Sequence, residues 1–192
     1  MALCFAKRYF IIVMAFSLLL ISCAPPAFAV QRVPIVRSDA EYPATPEEVV
    51  EEYVRKDAEG VRLSGQKFRE IRDLFMWEEA GFDVATIITG YDIRTMDIGP
   101  EMARVSVTYR ELGEFSPFEF RPDKKEVTES FMLKKDGNLW RITEPEIFPH
   151  VLLDTMVSMF ERNVEIDPRD DNYARMLIQF RNLKETEDKN AD

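Results

Sequence analysis

The period of apolar and polar positions changes along this chain, and each change marks an element. From Tyr9 to Ile21 every residue but Ser17 is apolar and none is charged. Thr45-Pro46-Glu47-Glu48 predicts a helix start: a threonine N-cap, a proline at the first helical position and a glutamate placed to close a capping box. Val49, Val50, Tyr53, Val54 and Ala58 follow at helical spacing, and Gly60 marks the stop. A second helix is predicted from about Ser64 to Trp77, with Phe68, Ile71, Leu74 and Phe75 on one stripe.

The period then shortens to two. Residues 85–98 read as a long strand with a bulge or bend at Gly90. Over residues 102–112, Ala103, Val105, Val107 and Tyr109 face one way and Arg104, Ser106, Thr108 and Arg110 the other. Phe115 to Asp123, with Pro117 and Pro122, is expected to be a loop. Strands at 126–135 and 138–143 flank the hairpin dipeptide Asp136-Gly137. A helix is expected at about 150–163, after Pro145 and Pro149. A last helix, capped by Asp167-Pro168-Arg169-Asp170, carries Tyr173, Leu177 and Phe180. The layout is α+β, with N-terminal helices packed on a curved antiparallel sheet and extra C-terminal helices. It divides the chain into a signal peptide (1–22), a tether (23–44), one domain (45–184) and a polar tail (185–192) expected to fray.

Lys7 and Arg8 precede the apolar run, which is shorter than the roughly 20 residues a membrane-spanning helix needs and suits a bacterial export signal. Two cleavage readings stand. Leu20-Ile21-Ser22-Cys23 resembles a lipobox, in which the Cys23 thiol is acylated and becomes the mature N-terminus. Ala27-Phe28-Ala29 resembles an ordinary cleavage site before Val30. By resemblance to envelope lipoproteins, Ala24 after the cysteine implies an outer-membrane protein facing the periplasm; cleavage at Ala29 implies a soluble periplasmic or secreted one. Acyl chains at Cys23 would contribute about 0.8 kcal/mol per buried methylene to a membrane anchor. Pro25, Pro26, Pro34 and Pro43 then suit an extended tether.

Charge narrows the partners. The chain carries −10, and because residues 1–23 hold Lys7 and Arg8 without an acid, the remainder stands at −12. Nucleic acid is not an expected partner, since phosphates need a basic face. Both cysteines, Cys4 and Cys23, lie in the targeting segment, so the domain has no internal disulfide. His150 is the only histidine, which excludes a His/Cys zinc site, and neither metal nor cofactor is expected.

The order of elements, the bend at Gly90 and the closing strand Gly137-Asn138-Leu139-Trp140-Arg141-Ile142 resemble the nuclear transport factor 2-like fold, shared with ketosteroid isomerase-like proteins. The resemblance covers about residues 45–145. It implies a cone-shaped sheet whose mouth holds a small apolar ligand, with Trp77, Tyr91, Tyr109, Phe131 and Trp140 as candidate lining residues. The same aromatics can equally fill the cone as core. The resemblance also implies pairing of two copies through the outer sheet face, unless the C-terminal helices cover it.

Catalytic signals are few. Tyr91 and Asp92 are strand neighbours that point to opposite faces, so both cannot enter one pocket, and Asp92 reads as solvated. His150 is expected to cap a helix or meet solvent. Asp167, Asp170 and Asp171 lack calcium-loop spacing and read as helix caps. Glu47, Glu48, Glu51 and Glu52 read as a solvated face at a helix N-terminus. No Gly-rich phosphate loop, Gly-x-Ser-x-Gly or Cys-x-x-Cys is present. The expected function is a non-catalytic envelope module that binds a small apolar ligand or an envelope protein. The alternative is an isomerase- or cyclase-like enzyme with an acid/base in the cone pocket.

Overall fold

A computed structural model of the protein describes residues 42–78, 81–117 and 119–191. The targeting segment with Cys23 and most of the expected tether lie outside these residues.

Helix α1 (Pro46–Ala58) starts as its sequence dictates. Thr45 Oγ1 accepts from the Glu48 N–H at 3.2 Å, and Glu48 Oε2 accepts from the Thr45 N–H at 3.0 Å. Such a cap is worth about 1 kcal/mol, because it satisfies donors that the first helical turn leaves open. Past its end Gly60 takes φ 74°, a left-handed conformation that reverses the chain.

No second α-helix follows. The segment makes three short 3₁₀ turns, Val61–Leu63, Lys67–Glu70 and Arg72–Leu74. Phe68, Ile71 and Leu74 recur every third residue, the period of a 3₁₀ helix rather than of an α-helix. Phe75 is already extended and bridges Ile142.

Five strands form one curled, mostly antiparallel half-barrel: β1 (Ala85–Ile98), β2 (Met102–Ser116), β3 (Glu119–Asp136), β4 (Leu139–Glu144) and β5 (His150–Leu152). Their order is β4-β3-β2-β1-β5, with β5 parallel to β1. The bend expected at Gly90 is a register shift between Ile88 and Gly90, so Thr89 is the extra residue. The expected loop at 115–123 is instead a hairpin closed by the pair Ser116–Glu119, with Phe115 opposite Phe120. Both rings pack under the C-terminal helices, and that burial outweighs the prolines. Pro122, which has no N–H to donate, stands opposite Gly113 where the β2–β3 ladder shifts register.

The C-terminal part differs from expectation at both ends. Val151 and Leu152 belong to β5, and helix α2 runs over Leu153–Ile166. Helix α3 (Asp171–Ala191) continues through the tail expected to fray. Its polar end is held by ion pairs to neighbouring elements: Lys184–Asp154 at 2.5 Å and Glu187–Lys124 at 2.6 Å.

Strand alternation gives the sheet two cores. On the concave face Val105, Val107, Tyr109, Phe131, Leu133 and Ile142 meet Val49, Val50, Tyr53 and Val54 of α1 together with Ile71, Leu74 and Phe75. On the opposite face Ile87, Leu112, Phe120 and Val151 meet Met156 and Phe160 of α2 and Met176, Leu177 and Phe180 of α3. The C-terminal helices thus cover one end of the outer face. The other end presents Asp92, Arg94, Arg104, Ser106, Thr108 and Thr128, with Met102 and Met132 among them.

Candidate functional site

At the rim of the concave face, charged side chains from four parts of the chain meet below the surface. Asp57 lies on the last turn of α1 and Arg62 on the 3₁₀ turn after Gly60, so the left-handed residue folds the guanidinium back onto the carboxylate. Arg62 Nη1 donates to Asp57 Oδ2 at 3.3 Å, with side chains 0% and 1% exposed. Arg62 Nη2 donates to the Ile147 carbonyl at 2.7 Å, and Asp57 Oδ2 accepts from the His150 backbone N–H at 2.9 Å. That capture gives the His150 amide a side-chain acceptor, and the next residues pair with Thr86–Ile88 before the helix begins. The Arg62 guanidinium also sits 4.7 Å from the centre of the Phe82 ring.

His150 is buried and stacks on Tyr109, with ring centres 4.0 Å apart and planes 21° from parallel. Nδ1 lies 2.9 Å from the Phe148 carbonyl oxygen, which only accepts, so Nδ1 carries a hydrogen and donates it. Nε2 faces Glu111 Oε1 at 3.4 Å. Burial acts on both groups. It brings the His150 pKa down to about 4, aided by the nearby Arg62 charge, and raises that of Glu111 against the pull of Lys125. His150 is therefore a neutral imidazole at neutral pH, with Nε2 left as an acceptor beside the Glu111 carboxyl. Burial likewise pushes the Tyr109 phenol well above its ordinary pKa, and its hydroxyl has no hydrogen-bond partner among the described residues.

The pair borders a cleft of about 420 Å³. Phe82, Ile147 and Phe148 give it apolar walls; Thr86, Glu111, Glu129, Glu146 and His150 give it polar ones. Chemically it offers a neutral imidazole beside a carboxyl of raised pKa, two further carboxylates and an aromatic surface. Among the described residues no group of His, Cys, Asp and Glu side chains is arranged to hold a metal ion.

The five aromatics singled out from the sequence do not meet at this cleft. Tyr109 and Phe131 are wholly buried, Trp140 nearly so, and all three belong to the concave core. Trp77 and Tyr91 are half-buried at its margin, Trp77 stacked 4.5 Å from Phe75. Five clefts among the described residues, the rim cleft included, are lined by none of these aromatics. Asp92 is exposed and paired with Arg110 across the outer face, as the alternation argument expected. His150 departs from expectation, being buried with a carboxyl partner rather than capping a helix in solvent. Cys23 lies outside the described residues.

Asp57, Arg62 and Glu111 were not singled out from the sequence, although two of them carry a readable signal. Asp57 follows Tyr53 and Val54 at helical spacing, on the buried stripe of α1. Glu111 continues the inward alternation of Val105, Val107 and Tyr109. A charge on an apolar stripe announces a buried, partnered ion. No family model, curated protein or solved structure matches the chain.

Proposed function

We infer that this chain is an exported protein of the bacterial cell envelope, anchored through acylated Cys23, whose folded unit is a non-catalytic binding module of nuclear transport factor 2-like architecture. The single observation supporting a binding module over a deep-pocket enzyme is the filled hollow of the half-barrel. Tyr53, Tyr109, Phe131, Leu133 and Ile142 are 0% exposed there, and the rim cleft beside His150 remains for a ligand. The order of elements and the curl of the sheet support the fold assignment. The lipobox and the short apolar run support the anchor and the envelope location. The mostly polar outer face and the C-terminal helices over one end of it favour a single copy over face-to-face pairing.

Native mass spectrometry of protein expressed with its own signal and extracted in mild detergent tests this reading. The expected mass is that of a chain beginning at acylated Cys23 with a small adduct that leaves on activation. A bare mass beginning at Val30 refutes the anchor, and the absence of any adduct refutes the binding module.

A second reading rests on a specific observation. His150 Nε2 and Glu111 Oε1, facing each other at 3.4 Å at the cleft wall, are the equipment of a general acid–base. An enzyme returns its adduct chemically altered after incubation, whereas a binding module returns it unchanged.

A further inference from the structure

We propose that the rim cleft takes an organic ammonium ion carrying an apolar or aromatic arm. This deepens the binding-module reading above and rests on it. Two independent features of the cleft point to that chemistry.

The first is its aromatic wall. Phe82 and Phe148 stand perpendicular, at 83°, with ring centres 5.9 Å apart, and Phe148 is 51% exposed. Two rings at a right angle offer a cation both a negative π-face and an apolar floor, the arrangement that holds alkylated ammonium groups. The site already solvates a cation in this way: Arg62, buried and paired with Asp57, lies over the Phe82 ring. The second is uncompensated charge. Glu129 and Glu146 border the cleft and make no ion pair or hydrogen bond among the described residues. Lys125, which reaches the cleft through Glu111 at 3.7 Å, is also engaged with Asp123 at 2.6 Å. Glu111 itself is committed to His150, so Glu129 and Glu146 are the carboxylates left to meet a ligand. A neutral apolar ligand would leave both facing apolar surface, and an anion would be repelled.

The test is calorimetric titration of the full mature chain, acyl anchor included, in mild detergent with a protein-free detergent blank. Three probes share one shape: 2-phenylethylammonium, 2-phenylethanol and 3-phenylpropanoate. The ammonium probe should bind at least about ten-fold more tightly than the alcohol, with the carboxylate weakest, and raising the salt should weaken only the ammonium. The double variant Glu129→Gln, Glu146→Gln changes two side chains outside either core, and its unchanged circular dichroism would certify the fold. It should lose at least about ten-fold in ammonium affinity and leave the alcohol unaffected. Equal binding of ammonium and alcohol, or full ammonium affinity in the double variant, overturns the proposal. Failure of all three probes against protein that still carries an adduct after extraction overturns the ammonium class alone. Failure of the probes together with an adduct-free mass overturns the binding module as well.

Discussion

Replacing Arg62 by methionine keeps the unbranched stem of the side chain and removes the charged head, leaving Asp57 buried without its guanidinium. Both side chains are effectively inaccessible, so neither ion recovers solvation when its partner goes. Breaking one half of a buried pair typically costs about 3–5 kcal/mol, and here the Ile147 carbonyl also loses its donor. Asp57→Asn should cost a similar amount, since it strands the guanidinium while keeping an acceptor for the His150 N–H. With about 5–15 kcal/mol of stability in a domain of this size, each single variant still folds, with a melting point lower by about 10 °C. The double variant removes both charges together and should cost clearly less than the sum of the singles. A coupling of about 2 kcal/mol or more is expected. Urea unfolding followed by circular dichroism measures all four corners of the cycle. Single costs below about 1 kcal/mol that simply add would show that the pair exchanges with water, and the description of a sealed ionic knot at the rim would be wrong.

The His150–Glu111 pair makes a prediction about pH. In the unfolded chain His150 takes its proton near 6.5 and in the folded chain near about 4, so between these values falling pH favours unfolding. Glu111 acts oppositely: its raised pKa supplies stability below 4.5 that is lost as pH rises through the folded value. Just above pH 4.5 the two oppose each other, so Glu111→Gln should steepen the loss of stability on acidification there; parallel profiles would contradict the raised Glu111 pKa. Nitrogen NMR of the wild-type ring at neutral pH should show a protonated Nδ1 and an accepting Nε2. Gly113→Ala should destabilise by at least about 2 kcal/mol, because φ is 151° and a Cβ would lie 2.1 Å from the Arg121 carbonyl oxygen. Gly90→Ala meets only the mobile end of Arg110 and should change the melting point little. Phe180→Ala, in a wholly buried site 5.5 Å from the Phe160 ring, should cost about 3–5 kcal/mol and raise hydrogen exchange in α2 and α3 before β2 and β3.

Elements with strong local signals were legible. The capping box of α1, the alternation of β2 and the Asp136-Gly137 turn each carry their structure within a few residues, and each appears where expected. The misreadings share a cause. The segment from Ser64 to Trp77 has an apolar spacing that fits a helix loosely, and only its strict period of three distinguishes 3₁₀ turns. The residues 115–123 carry turn-forming prolines, but the chain pairs there because Phe115 and Phe120 find Phe180 on a helix far along the sequence. The polar end of α3 has little helical stripe of its own. Ion pairs to α2 and β3 hold it, partners that no local window contains.

The rim site was harder to read for a related reason. Its residues come from positions 57, 62, 111 and 150, and each has a bland local explanation. His150 follows a proline before an apolar run, which looks like a helix entrance; pairing with Thr86 of β1 makes it a strand residue instead, and its N–H goes to Asp57, 93 residues earlier. Yet periodicity had placed two of the charges already. On α1 a stripe that buries Val50, Tyr53 and Val54 must bury residue 57, and on β2 an alternation that buries Val105, Val107 and Tyr109 must bury residue 111. An ionisable group forced inward by its own element needs a partner, and the partner comes from elsewhere in the chain. With Arg62 brought back by Gly60 to Asp57, the groups that reach Glu111 are Lys125 and the lone histidine. Charges forced inward at 57 and 111 point to this site, whereas the aromatic stripe points to the core.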